Sequence, residues 1–450
     1  MRSDEFLIEH NARPLWHPMA HPAEMRADPP KVIMRGEGVD VTDIDGHRVL
    51  DAVGGLWNVN LGYSCEPIKR AIADQLATLP YYSGFRGTST GPAIELAHEL
   101  VEWFAPEGMA RVFFTSGGSD SVETALRLAR QYWKLSGQRD RTKFIGLKKG
   151  YHGTHFGGAS VNGNVNFRRN YEPLMPGAFH IAAPWTYRNP FDETDPARLA
   201  QLCANLLEEE IAFQGPETIA AFIMEPVLGA GGVIVPPETF MPTVRRILDR
   251  HGILMIADEV VTGFGRTGAW SGSRLWGVKP DFMCIAKAVT SGYFPLGATL
   301  ICEKVAQAFE ANQDAFGAIG HGYTYSGHPV GCAAGIAALA ETKRLAVHDN
   351  AALRGIELGA ALEDLKKRHA IVGDVRCKGL MAALELVSDR EKKTPADKKT
   401  TARVFERAYR AGVMLRVSGP NVILSPPLVI TSEHVARIAQ AIDEGLAAAR

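Results

Sequence analysis

Between Arg111 and Cys302, at least five short apolar runs alternate with amphipathic stretches of helical length. The runs are Arg111–Ser116, Lys143–Lys148, Ile219–Met224, Ile253–Ala257, Phe282–Ala286 and Gly297–Cys302. Continuous apolar runs bounded by turn residues are what strands buried on both faces of a parallel sheet look like, and the alternation with helices is the α/β signature. Ligands of open α/β sheets sit beyond the carboxyl ends of the strands. The residues that follow these runs are unusual: Gly118-Ser119, Tyr151, Glu225, Asp258 and Lys287. Five strand ends marked in this way are expected to converge on one crevice.

The flanking segments are of a different kind. The first thirty residues carry five prolines and read as an extended arm, and their histidines lack metal-motif spacing. Val39–Asp51 reads as a hairpin turning at Asp45-Gly46. Beyond residue 330, helices at Gly331–Leu345 and Ala351–His369, a strand at Gly379–Leu386, a helix at Thr400–Ala411 and strands near Val413–Arg416 and Val422–Leu424 suggest a smaller α+β unit. The expected organisation is therefore an arm and hairpin over residues 1–60 belonging to the small domain, a large domain over 61–328, and the rest of the small domain over 329–450.

Bulk properties exclude several classes. In 450 residues, Lys plus Arg total 49 against 50 Asp plus Glu, so no net field draws nucleic acid or an anionic membrane. No apolar run reaches the roughly eighteen residues of a membrane span. The six cysteines are scattered without Cys-x-x-Cys pairs, which argues against zinc or a disulfide framework and fits a reduced cytoplasmic setting.

The chemistry lies at the strand ends. A lysine in an apolar crevice has a depressed pKa, and its neutral amine can attack a carbonyl and form a Schiff base. Alternatively, Asp258 could serve only as the salt-bridge partner of Lys287. Gly117-Gly118-Ser119, between a strand and a helix, offers backbone N–H groups and a positive dipole end to an anion, although a single Gly-Gly-Ser turn does not decide the matter. Taken together, an anion-binding turn, an amine, an acid and the Tyr151 ring describe a cradle for pyridoxal 5'-phosphate (PLP).

The stretch Asp258-Glu-Val-Val-Thr-Gly-Phe-Gly-Arg-Thr-Gly268, followed by Pro280-Asp-Phe-Met-Cys-Ile-Ala-Lys287, resembles the class III (ω-amino acid:pyruvate or amine) aminotransferases. These belong to fold-type I of the PLP enzymes, the aspartate aminotransferase-like fold with a large, mostly parallel α/β/α sheet domain and a smaller α+β domain. Similar stretches run from Ala52–Tyr63 to Leu424–Val429. The resemblance implies Lys287 as the lysine that bonds the cofactor and then moves the substrate proton. It implies Asp258 as the partner of the pyridine nitrogen, with Val260 on one ring face and Tyr151 on the other. The phosphate would be held by Gly118 and Ser119, although the first serine of the family's turn is absent. Thr324, in His321-Gly-Tyr-Thr-Tyr-Ser-Gly-His328, would reach the phosphate of a partner subunit, implying a homodimer with shared sites.

For the substrate, the resemblance implies Trp57 and Phe85 as pocket walls and Arg416 as a mobile arginine that binds a carboxylate. Family members acting on glutamate or ornithine carry a second glutamate after Glu225-Pro, where this chain has Ala230. Arg86, beside Phe85, departs from the usual aromatic or apolar residue and either contacts an anion or faces solvent. Glu225 and His152 are expected in supporting positions. The implied activity is transfer of an amino group from an ω-amino acid or primary amine such as β-alanine to pyruvate. The rivals are a 2-oxoglutarate-dependent enzyme, an aminomutase or decarboxylating enzyme of the same class, and a non-catalytic scaffold. A scaffold would have no reason to keep both Asp258 and Lys287.

Overall fold

The computed structural model describes residues 2–85, 87–312 and 317–449, so Arg86 lies outside the described residues. Its centre is a seven-stranded sheet. We number its strands in chain order as β1 (Met109–Thr115), β2 (Lys143–Leu147), β3 (Ala178–Ile181), β4 (Ile219–Met224), β5 (Leu254–Asp258), β6 (Phe282–Ile285) and β7 (Gly297–Cys302). The spatial order is β1-β7-β6-β5-β4-β2-β3. Neighbours from β6 through β3 are parallel, and β7 runs antiparallel to both β1 and β6. Every residue of β4, β5 and β6 is buried. That is why these strands appear in the sequence as unbroken apolar runs.

Helices cover both faces. Gly118–Leu135 packs Val122, Ala125, Leu126 and Ala129 against one side, and Pro196–Gln214 and Phe240–His251 contribute Leu207, Ile211, Val244 and Leu248 to the other. The end of the helix Phe240–His251 is set by Gly252, whose φ of +62° closes it and turns the chain into β5.

A second apolar core joins chain ends that are far apart in sequence. Val39, Leu50 and Leu61 pack with Leu358, Leu384, Leu424 and Ile438. Two sheets flank this core. In one, Ile33–Glu37, Asp40–Asp43 and Arg48–Asp51 form an antiparallel ribbon that Val413–Met414 joins in parallel. The other contains β8 (Val372–Lys378), β9 (Met381–Asp389), β10 (Arg416–Ser418) and β11 (Asn421–Leu424), in the order β8-β9-β11-β10. Arg266 ties the pieces together. Its fully buried guanidinium donates to the carbonyls of Leu380 and Pro426 and to Asn60 Oδ1 at 2.6 Å. Burial pushes its pKa down to about 9.

Two sequence expectations need correction. The N-terminal stretch is not simply extended: it forms the short helices Asp4–His10 and Pro22–Ala27, the second starting on a proline where a missing N–H costs nothing. The strand expected near Val413–Arg416 is divided between two sheets: Val413–Met414 joins the ribbon, and Arg416 opens β10 of the other sheet.

Candidate active site

The four adjacent strands β6, β5, β4 and β2 point their carboxyl ends the same way, and each is followed by a chemically distinctive side chain. Asp258 is the last residue of β5, in register with Cys284 of β6, and Lys287 follows two residues after β6 ends. Glu225 follows β4, and Tyr151 and His152 follow β2. Across the floor of one crevice the order is thus Lys287, Asp258, Glu225, then Tyr151 with His152.

Asp258 is 5% exposed and is held on both oxygens: Val260 N–H donates to Oδ1 at 3.2 Å, and His152 Nδ1 lies 2.9 Å from Oδ2. Glu259 points the other way and anchors the turn. Its carboxylate accepts from Thr262 Oγ1 and from the backbone N–H groups of Gly272 and Ser273. The chain after β5 is therefore fixed by one acid facing the core while its neighbour faces the crevice.

Glu225 accepts from the N–H of Tyr151 at 2.9 Å and of Gly229 at 2.8 Å. Burial pushes its pKa up to about 7. Lys287 lines the crevice with a backbone φ of +46°. Burial lowers its pKa, against the opposing attraction of Asp258 and Glu225. Tyr151 is raised, first by burial and then by the same two acids.

The helix Gly118–Leu135 begins at the rim. No side chain caps it at Gly117, so its first N–H groups remain available to an anion. A Cβ on Gly118 would come 3.0 Å from Val260 Cγ1, so the helix start lies directly against the residue two beyond Asp258. The loop after Tyr151 closes here too: Gly153 sits so near Ser119 that a Cβ would lie 2.6 Å from its Oγ. These features fit PLP. There is an uncapped helix start for the phosphate, a buried and doubly held carboxylate for the ring nitrogen, an aromatic and a branched apolar side chain for the ring faces, and a lysine for the aldehyde.

The chain belongs to the class III aminotransferase family. Its match to the family described as Aminotransferase class-III spans residues 23–446. It is 39% identical over 412 residues to a putrescine–pyruvate aminotransferase of Pseudomonas aeruginosa, covering 90% of this chain and 88% of that protein. It is 36% identical over 426 residues to a mitochondrial γ-aminobutyrate transaminase of Oryza sativa subsp. indica, with 93% and 81% covered. An amine transaminase from an uncultivated Pseudomonas species, solved in its PLP-bound form, superposes with a TM-score of 0.95 at 50% identity, covering 97% of this chain and 98% of that one. This class III aminotransferase is accordingly a PLP-dependent enzyme of fold-type I that works with an amine donor and a keto acid acceptor.

The remaining predicted residues fall into two groups. Arg416 opens β10, where its charge acts on both Tyr151 and Lys287. Its guanidinium has no hydrogen-bond or ion-pair partner among the described residues. Ala230 lies in the turn Gly229–Val233, which Glu225 tethers at Gly229. Trp57 is buried in the large core, and its backbone has a φ of +66°.

Phe85 and Thr324 form a separate exposed group. Phe85 is 54% exposed and its ring packs beside Gly322, while Tyr81 Oη donates to the carbonyl of Thr324 at 2.7 Å. The Thr324 segment is clamped to the cofactor-facing helix by Tyr323 Oη on the Asp120 carbonyl and by His321 against Thr124. Sequence reading gave His152 a supporting place without seeing its partner, and it missed Tyr81, Glu259 and Arg266. For Glu259 and Arg266 the signal was present: both are charged residues inside the glycine-rich stretch that follows β5.

Proposed function

We propose that this enzyme transfers an amino group from an ω-amino acid or primary amine, such as β-alanine, to pyruvate in a ping-pong cycle. The observation that carries this reading is the Arg416 guanidinium. It is set in the crevice near Tyr151 and Lys287, burial lowers its pKa, and it has no carboxylate partner among the described residues. A cation left without a partner in a half-buried crevice is a receptor for a carboxylate, which it can bind through two parallel hydrogen bonds. With Ala230 in place of a second glutamate, the tethered turn offers no acid to neutralise it. The name of the Pseudomonas aeruginosa relative, which carries both an amine donor and pyruvate, supports the same assignment.

In this reading, bound PLP supplies an electron sink that makes the substrate carbon acidic. Lys287 is the residue that would hold the cofactor's aldehyde carbon, and its Nζ would carry the proton to and from the reacting carbon. Its lowered pKa keeps the neutral amine accessible for that work. Asp258, fixed by His152 and the Val260 N–H, would accept from the protonated ring nitrogen. Gly118 and Ser119 receive the phosphate at the helix start, and Val260 and Tyr151 enclose the ring. Trp57, Phe85 and Ala230 shape the substituent pocket. Because Phe85 and Thr324 are exposed in the single chain, we assign them to the site of a second copy, which makes the working unit a homodimer.

The test is acceptor choice. Arg416→Ala should raise the KM for pyruvate by about tenfold or more, the worth of charged hydrogen bonds, and leave the KM for an uncharged aldehyde nearly unchanged. The parent enzyme should prefer pyruvate to 2-oxoglutarate with β-alanine, putrescine or 1-phenylethylamine as donor. Equal effects of Arg416→Ala on both acceptors, or a preference for 2-oxoglutarate, would overturn the assignment.

A further inference from the structure

Arg416 stands on a slight support. β10 is three residues long and among the described residues pairs only with β11, Arg416 facing Ile423 and Ser418 facing Asn421 across a turn at Gly419-Pro420. So short a hairpin has little rigidity of its own. What steadies it is a buried side chain from a different strand. Arg376 of β8 is 8% exposed and spends its donors in three directions. Nη2 donates to Asn421 Oδ1 at 2.6 Å, Nε donates to the Gly232 carbonyl at 2.9 Å, and Nη1 donates to Asp374. Glu385 lies 3.6 Å from Nη1, and the guanidinium rests over the Trp185 ring. Asn421 passes the constraint on by donating from Nδ2 to the Ser418 carbonyl at 3.3 Å, the far end of the strand that carries Arg416.

The other end of this bridge is the turn that carries Ala230. Gly232 has a φ of +115°, and a Cβ there would lie 3.3 Å from Asn421 Nδ2, so the turn and the hairpin are already in contact. On its far side the same turn presses on Lys149, where a Cβ on Gly231 would meet the carbonyl at 2.6 Å. Glu225 ties Gly229 and Tyr151 to one carboxyl. A continuous polar path therefore runs from the Tyr151 backbone through Glu225, the Gly229–Gly232 turn, Arg376 and Asn421 to the Arg416 hairpin. Each of the three nitrogens of Arg376 is thus held by the protein itself.

We propose that Arg376, acting through Asn421 and the Gly232 carbonyl, is a positioning residue that sets how far the Arg416 guanidinium reaches into the crevice, and so the enzyme's preference for carboxylate-bearing over uncharged acceptors. The proposal rests on the carboxylate-binding role of Arg416. Arg376 fixes the spacing between the two walls that bear Arg416 and Ala230. A guanidinium displaced by an ångström loses paired contact with a carboxylate, whereas an aldehyde lacking that group is unaffected.

The experiment uses the holoenzyme and three substitutions at Asn421, which spare the ion pairs of Arg376. Asn421→Leu keeps the shape but removes both hydrogen bonds, Asn421→Ala removes them without bulk, and Asn421→Asp retains the acceptor for Arg376. The readouts are KM and kcat with pyruvate and with butanal, and the calorimetric Kd of propionate, a carboxylate with no amine or carbonyl to react. Asn421→Leu and Asn421→Ala should each raise the pyruvate KM and the propionate Kd about tenfold while shifting the butanal KM less than about twofold, and Asn421→Asp, which keeps the acceptor for Arg376 but loses the donor to Ser418, should fall between these variants and the parent. Equal loss on both acceptors, no loss on either, or a loss of carboxylate preference in Asn421→Asp as large as in Asn421→Leu would overturn the proposal. Arg416→Ala separates the two layers. If it leaves propionate binding intact, the Arg416 assignment itself falls. If it abolishes propionate binding while Asn421→Leu does not weaken it, only the role of Arg376 falls.

Discussion

His152 Nδ1 lies 2.9 Å from Asp258 Oδ2, and the two residues are 106 positions apart in the chain. An ionised carboxylate only accepts, so this imidazole nitrogen carries the hydrogen. With the Val260 N–H on the other oxygen, the acid is fixed in rotation before any cofactor binds. Replacing His152 by Phe should leave the fold intact and loosen the cofactor. We expect PLP retention after dialysis, followed by visible absorbance, to fall about tenfold, since a buried charged group loses a hydrogen bond. Unchanged retention would remove His152 from the cofactor's support.

Lys287→Ala should lower turnover by at least about a thousandfold, within the range for losing a positioned acid–base group. Circular dichroism and the elution volume of the protein should not change. Retained transamination would refute the assigned role.

Gly118 tests the phosphate cradle. A methyl group at this position would crowd Val260 Cγ1 at 3.0 Å. Gly118→Ala should therefore weaken PLP binding, and adding Val260→Ala should restore part of the loss, a coupling that independent sites do not show. Additive effects in a calorimetric titration would mean that the two residues do not share the ring's edge.

Glu225 should leave a mark on the pH dependence of stability. Its pKa rises from 4.5 to about 7 on burial, so between those values the folded chain holds a proton that the unfolded chain releases. The stability this provides is complete below pH 4.5 and is lost as the pH rises through 7. Glu225→Gln removes the dependence. The thermal midpoint of the variant minus that of the parent, measured without cofactor, should increase from pH 5 to pH 8. A difference that is flat across this range would contradict the assigned protonation.

The large sheet was readable because its central strands are buried on both faces, as Ile219–Met224 illustrates with six buried residues in a row. β3 was not readable: it has four residues, lies at the sheet edge and is only partly buried, so no apolar run marks it. β8 was hidden for a related reason, since Asp374 and Arg376 interrupt its pattern for the sake of the bridge they build. Asp258 and Lys287 stood out in the sequence as charges that end apolar runs. Arg376, Asn421 and Gly232 did not. The hydrogen bond from Arg376 to Gly232 alone joins residues 144 positions apart, and the partnership exists only once two sheets and a turn have come together.

The backbone of Lys287 carries a further consequence. At a φ of +46° it occupies a region that a side chain with a Cβ tolerates poorly, and its amine is buried against its own preference for water. The fold holds this residue there at the expense of its own durability. Lys287→Gly should relieve both strains and give a protein that survives heating better than the active enzyme.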